Sequence, residues 1–79
     1  MVFYIDIVKF KKTELLVQYK FYTSEENIGI VEIRKSDGNV IEIQPAPNDS
    51  LGRLFERTVW ALIRPWKKGE YPEKTCWAS

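Results

Sequence analysis

The sequence predicts a two-layer α+β fold: a four-stranded antiparallel meander sheet with one C-terminal helix packed on one face. Three observations predict it. Residues 2 to about 45 are rich in β-branched and aromatic side chains at period two. Residues 48 to about 66 switch to helical periodicity. Pro45-Ala46-Pro47 separates the two, because each proline lacks a donor and biases its predecessor away from helix. With 79 residues there is room for one domain.

The first strand, about 2–10, puts Phe3, Ile5 and Ile7 on one side and Tyr4, Asp6, Val8 and Phe10 on the other. Lys11-Lys12-Thr13 reads as the turn. The second strand, about 15–23, sets Leu15, Val17, Tyr19 and Phe21 against Leu16, Gln18, Lys20 and Tyr22. Facing residues of an antiparallel pair share a side, so parity selects the loop length. A three-residue loop pairs Phe3 with Phe21, Ile5 with Tyr19 and Ile7 with Val17, giving one apolar face. A two-residue loop would set Ile7 against Gln18 and Ile5 against Lys20.

Residues 23–27 are polar and form the next connection. The third strand, about 28–35, alternates Val31 and Ile33 with Ile30, Glu32 and Arg34. Ser36-Asp37-Gly38-Asn39 is the strongest hairpin signal in the chain. A two-residue Asp-Gly turn would oppose Ile33 to Glu42. A three-residue loop with Gly38 in the left-handed region pairs Ile33 with Ile41 and Val31 with Ile43 on the fourth strand, about 39–45, and is preferred. Its cost is Glu32 opposite Glu42.

Asn48, Asp49 and Ser50 are all good helix N-caps. The helix, about 49–64, carries Leu51, Leu54, Phe55, Val59, Leu62, Ile63 and Trp66 on one stripe. Pro65 is expected to end or kink it near Arg64, and Gly69 to close what remains. The tail, 69–79, contains Tyr71 and Trp77 and is expected to be irregular but docked, because disordered ends are poor in aromatics.

Composition removes whole classes of chemistry. There is no histidine, so no imidazole base, no His-paired nucleophile and no His-ligated zinc. One cysteine, Cys76, forms no internal disulfide. The four glycines are scattered and build no phosphate loop. The carboxylates are dispersed; Asp6, in an otherwise apolar strand, is expected to face solvent near Lys20 or Gln18. Neither a catalytic set, a cofactor site nor a metal site is expected. No apolar run reaches the ~18 residues of a membrane span. The start of the chain lacks a basic region followed by an apolar one, and with a lone Cys76 this fits a reducing cytoplasm.

Two surfaces are left over for binding. On the helix, Trp60 falls about 140° from the centre of the apolar stripe. Arg53, Arg57 and Arg64 share that outer side, with Arg57 and Arg64 at i−3 and i+4 from Trp60, within reach of guanidinium stacking. Residues 53–68 hold five basic side chains against one acidic, or +4. The plain alternative is an amphipathic helix with snorkelling arginines and a Trp60 covered by the tail. On the sheet, Tyr4, Val8, Phe10, Leu16, Tyr22, Ile30 and Val40 are expected on the side away from the helix, with Tyr71 and Trp77 as residues that fold back over part of it. That side is more apolar than a fully wetted sheet face needs. Arg53, Arg57, Trp60, Arg64, Tyr4, Phe10, Tyr22 and Trp77 are therefore the candidate contact residues. The expected function is a non-enzymatic protein-interaction domain with a protein partner or a second copy. The alternative is a small nucleic-acid binder using the Arg and Trp face of the helix.

Overall fold

A computed structural model describes residues 4–24, 26–47 and 52–78. The fold is α+β, with one antiparallel sheet of five strands and one helix. The elements run β1 (Tyr4–Lys12), β2 (Leu16–Tyr22), β3 (Ile28–Arg34), β4 (Val40–Gln44), α1 (Arg53–Lys67) and β5 (Lys74–Ala78). Across the sheet the order is β4-β3-β2-β1-β5. The helix carries the chain from the β4 edge to the β1 edge. There the tail, expected to be irregular, becomes a fifth strand.

The strand β5 pairs with β1 through Ile5 opposite Trp77, Asp6 opposite Cys76 and Ile7 opposite Thr75. Four further contacts hold the tail to the sheet. Tyr19 donates its hydroxyl proton to the Pro72 carbonyl at 2.9 Å. Lys9 Nζ donates to the Tyr71 carbonyl at 3.0 Å and pairs with Glu73 at 2.9 Å. The Lys9 N–H reaches the Glu73 carbonyl at 2.9 Å. Burial of Tyr19 pushes its hydroxyl up to about 12, helped by the nearby charges of Glu73 and Tyr71, so it remains a donor.

The β1–β2 register differs from the expected one. Ile7 lies opposite Phe21 and Lys9 opposite Tyr19; after a bulge at Phe10, Lys11 meets Gln18 and Lys12 meets Val17. The strand runs on through Lys11 and Lys12, and Thr13 makes the turn. Its Oγ1 accepts the N–H groups of Leu15 at 3.3 Å and Leu16 at 3.2 Å. Leu15 consequently sits in the turn, 76% exposed, rather than in β2. The slip is even, so Ile5, Ile7, Tyr19 and Phe21 still share the face expected of them. Phe3 lies outside the described residues.

The β3–β4 register differs with larger consequences. Ile33 faces Val40, Glu32 faces Ile41 and Val31 faces Glu42. The hairpin loop is one residue longer than expected. The Gly38 N–H reaches the Arg34 carbonyl at 2.8 Å, and Asp37 Oδ1 accepts the Asn39 N–H at 2.9 Å. Gly38 does take a left-handed φ of 73°. Trp66, from the last turn of α1, lies over it and donates from Nε1 to the Lys35 carbonyl at 3.0 Å. A Cβ on Gly38 would stand 2.7 Å from that indole ring. The odd shift exchanges faces: Val40 turns inward to pack on the core, whereas Ile41 and Ile43 are 39% and 50% exposed. It also spares Glu32 the expected opposition to Glu42; Glu32 instead accepts from Gln18 Nε2 at 3.0 Å.

The helix-facing side of the sheet supplies the buried residues Ile5, Ile7, Val17, Tyr19, Phe21, Val31 and Ile33. From the helix come Leu54, Thr58 and Leu62, and Phe55, Ala61 and Trp66 pack against them half-buried. Thr58 is satisfied by donating to the Leu54 carbonyl at 2.8 Å. The buried stripe is thus rolled by roughly 60° from the expected one, away from Val59 and Ile63. The physical reason is β5, which extends the sheet under the Arg57–Ala61 flank. The expected caps Asn48, Asp49 and Ser50, and Leu51, lie outside the described residues; Gly52 occupies the N-cap position at φ 69°. The helix continues through Pro65 to Lys67, three residues past Arg64. Pro65 sits in the final turn, where its carbonyl accepts the N–H groups of Lys68 at 3.0 Å and Glu70 at 2.9 Å.

Candidate interaction surfaces

The eight candidate residues divide into two groups on opposite sides of the sheet. Trp77 joins the helix group. Its pairing with Ile5 fixes it on the helix-facing side of β5, under the flank of α1. The Trp60 and Trp77 ring centroids lie 5.7 Å apart with the planes tilted by 60°. The Arg57 guanidinium stands 4.8 Å from the Trp60 centroid and 5.9 Å from that of Trp77. Of the two arginines in stacking reach of Trp60, Arg57 makes the contact. Trp60 remains 45% exposed, so the tail flanks it without covering it.

Arg53 and Arg64 are exposed. Arg64 lines a shallow groove of about 330 Å³ between α1 and β5, together with Lys68, Glu70, Thr75 and Trp77. Arg53, Arg64, Lys67 and Lys68 make no salt bridge among the described residues. Glu56, the acid on this helix, approaches Arg57 at 3.8 Å. The Trp77 Nε1 is buried and has no hydrogen-bond partner.

Tyr4, Phe10 and Tyr22 lie on the other side of the sheet, as expected. Val8, Leu16 and Ile30 accompany them, half-buried among their neighbours. The structure adds Ile28 opposite Tyr22, and Ile41 opposite Glu32. It removes Val40, which faces the core. Neither Tyr71 nor Trp77 folds over this side; both pack against the core on the helix side. Polar residues are interleaved, with Lys20 Nζ 5.3 Å above the Phe10 ring. Asp6 pairs with Tyr22 and Cys76, not with Lys20 or Gln18. The nearness of Cys76, and then of Asp6, pushes the Tyr4 hydroxyl up to about 12.

A second groove, about 490 Å³, lies at the end of this face between the β1–β2 and β3–β4 turns. Leu15, Leu16, Arg34 and Lys35 line it. The consecutive Leu15-Leu16 pair was its signal in the sequence, and the misplaced turn concealed it.

These surfaces can stack, ion-pair and bury apolar area. Among the described residues there is no group of three or more His, Cys, Asp or Glu side chains able to hold a metal ion. No described helix is long and apolar enough to cross a membrane. Comparison with protein-family models, with curated proteins and with solved structures finds no match.

Proposed function

We propose that this chain is a non-enzymatic protein-interaction domain that docks through the outer face of its sheet. The carrying observation is the unequal treatment of the two sheet faces. One is covered by α1, whereas no described element covers the other, on which Tyr4, Phe10 and Ile41 are exposed. Large apolar side chains left open on an uncovered sheet face mark a candidate contact site.

A second copy of the chain is the first occupant. Five strands at ~4.8 Å spacing and about seven residues long present about 500 Å². Stable interfaces start near ~600 Å² per partner, so a face-to-face dimer of this size is weak and concentration-dependent.

Light scattering across a concentration series tests this reading. The expected mass rises toward the dimer with concentration, and Phe10→Asp abolishes the rise. A strict monomer at every concentration, with no partner retained from cell extract that Phe10→Asp loses, would overturn it.

A further inference from the structure

The helix side of the molecule carries a different chemistry from the sheet face. At 100° per residue, Arg53, Arg57, Trp60, Arg64, Lys67 and Lys68 all fall within one sector of roughly 100°. From Arg53 to Lys68 the stripe is about 22 Å long at ~1.5 Å rise per residue. Five cations in this length are balanced by Glu56 alone, and Glu56 is already drawn to Arg57.

Trp60 lies within the same stripe, and Trp77 of β5 packs beside it. Arg57 lies over one face of the Trp60 ring, yet 45% of Trp60 stays open to solvent. A tryptophan needed only for stability would be covered more completely. The groove beside Trp77 continues the stripe with Arg64, Lys68 and Thr75, and Glu70 is its acidic member.

We infer that this stripe is a binding site for single-stranded nucleic acid. The cations would track the phosphates while an unpaired base stacks on Trp60 and a neighbouring nucleotide enters the α1–β5 groove. The ligand must be a polyanion to answer the charge, and it must carry flat aromatic groups to answer the open indole. An acidic peptide meets the first requirement only. A duplex keeps its bases inside and meets the same one. A length of 22 Å suits about four nucleotides, the short end of single-strand sites. The site lies across the sheet from the proposed protein-docking face, and neither requires the other.

Fluorescence anisotropy of a labelled twelve-residue oligothymidylate, titrated with the full chain from 50 to 200 mM salt, provides the test. Affinity is expected to fall with salt by about 0.7 logarithmic units per phosphate engaged. Trp60→Ala should weaken binding about 5- to 150-fold, the range for loss of one stacked base, with Trp60→Phe recovering most of it. Arg64→Glu combined with Lys68→Glu should lower the salt slope by about 1.4. Phe10→Asp, on the opposite face, should leave binding unchanged, which separates this site from the docking reading. Unaltered circular dichroism would confirm that each variant folds. Absence of binding at 50 mM salt would overturn the inference. So would equal competition by poly-glutamate with no effect of Trp60→Ala, which would make the stripe a dock for acidic protein.

Discussion

The two faces of the sheet are made from the same strands but used differently. On the inner face Ile5, Ile7, Val17, Tyr19, Phe21 and Val31 are wholly buried, sealed by Leu54 and Leu62. On the outer face their sequence neighbours Val8, Leu16, Ile28 and Ile30 are only half-buried, with Phe10 and Tyr4 more open still. The outer face also interleaves Asp6, Gln18, Lys20 and Glu32 among its apolar side chains, and no described element covers it. Stability should therefore reside on the inner face, and recognition on the outer one.

Substitution tests this contrast most sharply. Ile7→Ala or Leu62→Ala is expected to cost about 2–5 kcal/mol in urea unfolding, through lost burial and a residual cavity. Ile30→Ala on the outer face should cost less than about 1.5 kcal/mol at low protein concentration. If the Ile30→Ala cost grows with concentration, a second copy covers that face. An equal cost at both sites at all concentrations would break the contrast.

The next largest effect belongs to the tail attachment. Tyr19→Phe orphans the Pro72 carbonyl and should cost about 1–3 kcal/mol. The pH dependence follows from the same hydroxyl. Tyr19 ionises near 10 when unfolded and at about 12 when folded. Its contribution is fully present below pH 10. Between about 10 and 12 the unfolded chain loses its proton first, so stability falls as pH rises. Urea midpoints should be insensitive to this group at neutral pH and drop above pH 10, with a smaller drop in Tyr19→Phe.

Trp77→Phe gives the smallest effect. The buried Trp77 N–H has no partner, so Trp77→Phe removes an uncompensated donor along with part of the ring. The two changes offset, and the net loss should stay under about 1 kcal/mol, whereas Trp77→Ala loses the ring outright and should cost about 3 kcal/mol or more. Thermal unfolding of both variants distinguishes them.

The inner faces of β1, β2 and β3 were legible because side parity survives: the bulge at Phe10 offsets the even turn, so Ile7 and Phe21 still share the expected side. β4 was not legible to the same degree. One extra loop residue, set by Trp66 reaching across from α1 to Gly38, reversed Val40 and Ile41. β5 was hidden for another reason. Five residues give too short a pattern, and its partner β1 lies at the far end of the chain. Arg57 beside Trp60 could be read from their spacing on one helix. Trp77 joined them only through its register with Ile5, a contact across more than seventy residues.

The central claim, that the outer sheet face is the docking surface, is tested most directly by nuclear magnetic resonance shifts followed over a concentration series. The account predicts that perturbed residues cluster at Tyr4, Val8, Phe10, Tyr22 and Ile30, with Trp60 and Trp77 unmoved. Perturbations centred on Trp60 and Trp77, with the outer face silent, would contradict it.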